Sequence, residues 1–106
     1  MSKKLFDNEQ RLDVANLLNS IGLVYDLLNE HEKSLEFFIK VYDMRKKLYK
    51  SEHPELAESL NNIGVTYGNL NENEKSLEYH LKAYEMRAKL QKSEQLDLAQ
   101  VYEKRI

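Results

Sequence analysis

The spacing of apolar residues along the chain is helical. In the stretch "LNNIGVTY", residues 60–67, the side chains of Leu60, Ile63 and Tyr67 recur at intervals of three and four residues. Similar runs cover most of the chain and are separated by "LNEHEK", "SEHPE" and "LNENEK". We therefore predict five helices, over about 8–28, 31–50, 54–70, 73–92 and 95–105.

The residues between these runs are typical of helix ends. Asn29 and Asn71 follow the first and third runs, and asparagine tolerates the left-handed backbone conformation that ends a helix. Pro54 suits the first turn of a helix, where its missing N–H costs nothing. The chain contains only three glycines and one proline, too few for the turns of a multi-stranded sheet. We predict an all-α protein.

The chain repeats itself with a period of 42 residues. Residues 14–55 align with 56–97 without a gap and are identical at 23 of the 42 positions. Each unit reads as two antiparallel helices, and a helical hairpin cannot bury its apolar face alone, so neighbouring hairpins must stack. We predict one domain over 1–106, an α-solenoid of about two and a half repeats, with a capping helix or partial repeat over 98–106.

The first helix of each unit carries a recognisable pattern. "LNSIGLVY" and "LNNIGVTY" resemble the tetratricopeptide repeat pattern W-x₂-L-G-x₂-Y, with Leu in place of Trp. We expect the two helices of each unit to cross closely at Gly22 and Gly64, because glycine has no side chain. The unit length, "SEHPELAESLNNIG" and "MRAKL" are similar to the long-helix repeats of the kinesin light chain type. This resemblance implies a concave groove that binds peptides of partner proteins, with a row of asparagines contacting the peptide.

Composition excludes several classes of partner. The net charge is −2, with 32% charged residues well mixed along the chain, so the basic surface that binds nucleic acid is missing. There is no cysteine and hence no disulfide or thiolate. No apolar stretch approaches the length of a membrane span. These features predict a cytoplasmic protein that binds neither nucleic acid nor membranes.

No arrangement of residues points to catalysis. His31, His53 and His80 lack metal-ligand spacing, and no serine, aspartate or glutamate recurs in a triad-like pattern. The charged residues of "NEKSLE" and "YEMRAKL" read as solvated helix pairs. We predict no catalytic residue, no metal site, no cofactor and no enzymatic activity.

A candidate binding face lies opposite the apolar stripe of the first helix in each unit. An asparagine side chain can match both the N–H and the C=O of an extended peptide, although exposed polar positions also hold asparagine without any partner. We predict that the groove binds an extended peptide or a helix of a partner protein. The predicted partner-binding residues are Asn16, Asn19, Ser20, Leu23, Glu58, Asn61, Asn62, Val65 and Asn69.

The first helix also raises a second hypothesis. "VANLLNSIGLVYDLL" is apolar almost all round, and such a helix needs cover on every side. The second unit carries serine, threonine and asparagine where the first has Leu17, Val24 and Leu27. The alternative function is therefore a structural assembly element that homodimerises, or packs in a longer array, through these three residues.

Overall fold

The computed structural model describes residues 3–105, with side chains up to residue 95, and this part of the chain is helical without strands. The four helices are α1 (Lys3–Leu27), α2 (His31–Leu48), α3 (Pro54–Asn69) and α4 (Asn73–Arg105). Helix α1 packs against α2, α2 against α3, and α3 against α4. Two helical hairpins therefore stack side by side, which confirms the predicted all-α repeat fold.

The two hairpin turns have the same conformation. Asn29 and Asn71 both have a φ of 62°, in the left-handed region. In the first turn the N–H of Glu30 donates to the carbonyl of Tyr25 at 2.9 Å, and the second turn repeats this bond at the same length. This 6→1 bond and the left-handed residue before it define a Schellman motif. The predicted role of the two asparagines is confirmed.

The turn between α2 and α3 depends on a histidine–proline pair. Pro54 is the first residue of α3, as predicted. The ring nitrogen Nδ1 of His53 accepts a hydrogen bond from the N–H of Glu55 at 3.1 Å and so caps the helix. The ring of Tyr49 stacks on the ring of His53 with the centroids 3.6 Å apart.

The prediction of a separate helix over 95–105 is wrong, because α4 runs unbroken from Asn73 to Arg105. The corresponding turn segment reads "YKSEHPE" at 49–55 but "QKSEQLD" at 91–97. Without the capping histidine and the proline, nothing in the second segment interrupts the helical hydrogen bonds. Helix α1 also begins earlier than predicted, at Lys3. The division into repeats remains a prediction, and Ile106 lies outside the described residues.

The core lies between the helices, and α3 contributes half of its buried apolar side chains among the described residues. This helix has neighbours on both sides, whereas α1 has a neighbour on one side only. The buried apolar side chains among the described residues are Ala15 on α1, Phe38 and Val41 on α2, Leu56, Ala57, Leu60 and Ile63 on α3, and Ala83 on α4.

The two helices of each hairpin cross at a glycine, as predicted. A Cβ atom added at Gly22 would lie 2.8 Å from Cε1 of Phe38, which is too close for a real contact. The hydroxyl of Ser34 donates to the carbonyl of Gly22 at 2.8 Å. In the second hairpin Gly64 meets the ring of His80, with three ring atoms 3.1 Å from an added Cβ. The sequence keeps glycine at both places because the crossing leaves no room for a side chain.

We predict that Gly22→Ala is less stable than the matched variant Gly68→Ala by about 1–3 kcal/mol, the usual cost of overpacking. Both substitutions gain the same helix propensity, about 1 kcal/mol. At Gly68, however, the nearest atom to an added Cβ is the hydroxyl oxygen of Ser76, at 3.3 Å. Urea unfolding followed by circular dichroism measures the difference. Equal unfolding free energies for the two variants would contradict the close crossing.

Candidate functional site

The predicted partner-binding residues lie on α1 and α3. Leu23 and Val65 occupy the same position one repeat apart, and each is 44% exposed. The asparagine side chains at 19, 61 and 62 are half-buried, and the remaining residues of the set are exposed. We use the name α1–α3 surface for Asn16, Asn19, Ser20, Leu23, Glu58, Asn62, Val65 and Asn69.

Amide side chains join α1 to α3 within this surface. The Nδ2 group of Asn19 donates to Oε1 of Glu58 at 3.2 Å. The Nδ2 group of Asn62 donates in turn to Oδ1 of Asn19 at 3.1 Å. Each bond uses only part of the capacity of an amide, which has two donors and an oxygen with two lone pairs. The two asparagines therefore hold the helices together and retain unused donors and acceptors.

Asn61 is placed differently from its counterpart Asn19. Its Oδ1 atom lies 2.9 Å from Nδ1 of His80 on α4. Because an amide oxygen only accepts, the ring nitrogen must be the donor in this bond. Asn61 thus contacts the helix of its own hairpin, whereas Asn19 contacts the next hairpin. The structure does not bring Asn61 together with the residues of the α1–α3 surface through hydrogen bonds.

A buried arginine lies beneath the α1–α3 surface. Arg45 on α2 is only 2% exposed. Its Nη1 group donates to the hydroxyl of Ser59 at 2.8 Å and to Oε1 of Glu58 at 3.2 Å. Nη1 also donates to the carbonyl of Glu55 at 3.1 Å, and Nη2 donates to Oδ1 of Asn16 at 3.2 Å. One guanidinium therefore connects α1, α2 and α3.

Arg45 was not among the residues predicted from the sequence. Burying a guanidinium is costly unless carboxylates and other acceptors surround it. Oε2 of Glu55 lies 3.9 Å from Nε, which has no hydrogen-bond partner in the structure. One signal was available in the sequence: arginine recurs at 45 and 87, while the next residue changes from Lys46 to Ala88.

A second polar link joins the other end of α1 to α2 and α3. Oδ1 of Asp26 lies 2.7 Å from Nδ1 of His31, the first residue of α2. Oδ2 of Asp26 accepts a hydrogen bond from the hydroxyl of Thr66 on α3 at 3.0 Å. The carboxylate of Asp26 and the guanidinium of Arg45 thus anchor α1 at two separate points.

Tyr49 is connected to the same network through Glu55. Its hydroxyl donates to Oε2 of Glu55 at 2.7 Å. Burial, together with the acceptor carboxylate of Glu55, raises the pKa of Tyr49 to about 12, and the nearby Arg45 opposes this rise. The neutral phenol is therefore the stable form of this side chain in the folded protein.

The predicted self-association residues on α1 are all exposed. Leu17, Val24 and Leu27 are 61%, 53% and 83% exposed. Ser59 and Thr66 on α3, the counterparts of Leu17 and Val24, are fully buried, because α3 has the first hairpin as its neighbour, whereas Asn69, the counterpart of Leu27, is exposed. We use the name N-terminal end surface for Leu17, Val24, Leu27 and the adjacent, exposed Leu28. A shallow, open depression of about 380 Å³ lies beside Val24 and Leu28.

Two further kinds of site are absent from the part of the chain that the structure describes. No three histidine, aspartate or glutamate side chains come close enough together there to hold a metal ion. None of the helices there combines the length and the apolar character that crossing a bilayer requires.

Comparison with known proteins identifies the repeat. The sequence profile of the tetratricopeptide repeat matches residues 9–89, which is well over half of the chain. The matched region contains both hairpin turns and both glycine crossings. A search for individual characterised proteins found no match.

We predict that Tyr49→Phe is less stable than the parent by about 1 kcal/mol at pH 8, through loss of the hydrogen bond to Glu55. A raised pKa favours the protonated form in the folded state, so this stabilisation is complete below pH 10, the ordinary pKa. It should be lost as the pH rises towards 12. Urea unfolding of both proteins between pH 8 and pH 12 tests this. A stability difference that stays constant over that range would contradict it.

Proposed function

We propose that this chain, which belongs to the tetratricopeptide repeat family, binds an extended peptide or a helix of a partner protein along the α1–α3 surface. Tetratricopeptide repeats are typically non-catalytic modules for protein–protein interaction. The observation that carries the proposal is the pair Leu23 and Val65, one repeat apart and equally exposed at 44%. Two equivalent apolar side chains within a polar surface can each pack against one apolar side chain of the same ligand.

The polar residues around this pair suit the backbone of such a ligand. Asn19 and Asn62 retain unused donors and acceptors after their mutual bond. Asn16 and Ser20 are exposed beside Leu23, and Asn69 is exposed beyond Val65. Amide groups at regular spacing can pair with the N–H and C=O groups of an extended peptide independently of its sequence.

The charge of the surface narrows the choice of ligand. Glu58 is exposed there, and the surface carries no lysine or exposed arginine. The one nearby guanidinium, that of Arg45, is buried and engaged. A ligand that depends on a free carboxylate would find no partner charge, so we propose a neutral or basic peptide.

We predict that Leu23→Ala combined with Val65→Ala weakens peptide binding about tenfold or more, because truncating central apolar contacts commonly costs over 1 kcal/mol. The probe is a peptide selected on the parent chain from a displayed random library, and its affinity is measured by fluorescence anisotropy. Both side chains are exposed, so the melting temperature should stay nearly unchanged.

The matched control is Leu77→Ala combined with Leu81→Ala, which removes exposed apolar side chains of α4 and should leave the affinity at the parent value. A library that yields no binding peptide would overturn the proposal. So would a selected peptide that binds the Leu23 and Val65 double variant as tightly as the parent.

A second candidate function is assembly through the N-terminal end surface. It is supported by the exposure of Leu17, Val24 and Leu27, and by the burial of Ser59 and Thr66 at the equivalent positions of α3. Fully burying one such apolar side chain contributes about 1.5–3 kcal/mol. The first hairpin thus leaves uncovered, at Leu17 and Val24, two positions that the second hairpin buries.

We predict that the parent chain self-associates, and that replacing Leu17, Val24 and Leu27 by serine, threonine and asparagine makes it monomeric. These are the residues of the second repeat at the same positions, so the substitutions suit the fold. Light scattering coupled to size exclusion measures the mass, and circular dichroism checks the helicity. A parent chain that stays monomeric at several hundred micromolar would contradict this second function.

A further inference from the structure

A second uncovered apolar face lies at the opposite end of the stack, on α4. Leu77, Leu81 and Tyr84 are 60%, 51% and 70% exposed. Tyr42 on α2, the counterpart of Tyr84, is half-buried, because α3 packs beside α2. Helix α4 continues as one helix, so within the described residues no later helix returns over this face. We use the name C-terminal end surface for Leu77, Leu81, Tyr84 and Arg87.

The two end surfaces are the two halves of the junction between α2 and α3. In that junction, α2 presents Tyr42 and Arg45, counterparts of Tyr84 and Arg87, while Ile39, the counterpart of Leu81, stays 38% exposed. Helix α3 presents Ser59 and Thr66, counterparts of Leu17 and Val24 in the N-terminal end surface. Both of these α3 side chains are fully buried. The chain therefore contains one closed junction and, at its two ends, the two open halves of another.

Charges at the two ends are complementary in the same register. In the closed junction the guanidinium of Arg45 lies beside the carboxylate of Glu55, with Nε 3.9 Å from Oε2. The counterpart of Arg45 is Arg87, which is exposed and forms no hydrogen bond or ion pair among the described residues. The counterpart of Glu55 is Asp13 on α1, which is also exposed. Within the described residues, one end thus carries a cation without an ion pair where the other end carries the anion equivalent to Glu55. The counterpart of Glu58, the carboxylate closer to Arg45 at 3.2 Å, is the neutral Asn16.

We propose that the N-terminal end surface of one copy docks on the C-terminal end surface of a second copy, so that molecules stack head to tail and repeat the α2–α3 junction between them. This inference rests on the second proposed function, assembly through Leu17, Val24 and Leu27, and assigns its partner surface. Arg87 of one copy then pairs with Asp13 of the next.

The residues of the two end surfaces that differ from their counterparts in the α2–α3 junction would make the contact between copies more apolar. Leu17 and Val24 replace Ser59 and Thr66, so the contact between copies lacks the hydrogen bonds that these two hydroxyls make in the internal junction and has more apolar side chains. On the facing helix, Ala88 stands where α2 has Lys46, which removes a charge. Apolar contact is the usual basis of association between separate chains, because it needs no exact pairing of polar groups.

A two-fold dimer through α1 alone explains less of the molecule. It would cover the N-terminal end surface of both copies and leave Leu77, Leu81 and Tyr84 uncovered twice. It would also provide no acceptor for Arg87 from the second copy. Head-to-tail stacking covers both surfaces with one contact. Such a contact does not close on two copies, so the assembly grows as an open array or closes as a ring.

Two blocked variants test the arrangement. The first carries Leu17→Lys and Val24→Lys, which blocks the N-terminal end surface, and the second carries Leu81→Lys and Tyr84→Lys, which blocks the C-terminal end surface. All four residues are exposed, so both variants should fold. Head-to-tail stacking predicts that the parent forms species whose mass grows with concentration, and that each blocked variant alone is a monomer.

Mixing the two blocked variants is the decisive step. Each supplies the surface that the other lacks, so an equimolar mixture should form a 1:1 complex of about 25 kDa, twice the 12.6 kDa of the chain. Formation of this complex also shows that both variants are folded. A mixture that stays monomeric overturns the proposal. Dimerisation of the second blocked variant by itself also overturns the proposal of head-to-tail stacking. That result indicates a two-fold contact through α1, which is consistent with the second proposed function.

A charge exchange tests the register. Asp13→Arg alone and Arg87→Asp alone each place like charges together at every junction, and each should weaken association about tenfold at low salt. The chain with both substitutions restores opposite charges and should associate nearly as well as the parent. Single substitutions without effect, or a double substitution without recovery, would overturn the pairing of Arg87 with Asp13. Peptide affinity at the α1–α3 surface should be unchanged in all of these variants, which separates this result from the first proposed function.

Discussion

The buried guanidinium of Arg45 is the interaction on which the stacking of the two hairpins depends. Its acceptors come from α1 and α3, while the arginine itself belongs to α2. A buried charge is tolerated only where such acceptors surround it, and removing them leaves an uncompensated ion. A sliding motion of one hairpin against the other would separate the guanidinium from Ser59 and Glu58 on α3. The arginine therefore fixes the register in which the hairpins stack.

Contacts within a hairpin are of a different kind from contacts between hairpins. Within a hairpin, a glycine lets an aromatic ring approach the backbone, and a serine hydroxyl binds the glycine carbonyl at 2.8 Å in the first hairpin and 2.7 Å in the second. Between hairpins, polar side chains such as Asn19, Asn62 and Asp26 make the links. The first kind depends on close packing and recurs unchanged. The second kind depends on a neighbouring hairpin and changes along the chain.

This difference connects the proposed functions to the fold. The α1–α3 surface exists because two first helices of successive hairpins lie side by side, with Leu23 and Val65 in equivalent places. The two end surfaces lie on the outer helices of the described part of the chain, α1 and α4. The proposed binding surface along the stack and the proposed assembly surfaces at its two ends both follow from the same stacking geometry.

Features that depend on residues close in sequence were predicted correctly. The turns at Asn29 and Asn71, the helix start at Pro54 and the crossings at Gly22 and Gly64 each follow from local backbone chemistry or from the repeat pattern. The separate fifth helix was the exception. Segment 91–97 aligns with the turn segment 49–55, but it lacks both the proline and the histidine that interrupt the helix there.

Identical residues at equivalent positions of the two repeats have different environments, and the sequence alone does not predict this difference. Asn19 and Asn61 are the same residue one repeat apart, yet one binds the next hairpin and the other binds His80. Arg45 and Arg87 are likewise the same residue, yet the first is 2% exposed and the second is exposed. The sequence by itself determined the helices, their turns and the period of 42 residues, because periodicity and turn chemistry are local. Only the tertiary structure decided which copy of each residue is buried, because burial depends on whether another hairpin lies beside it.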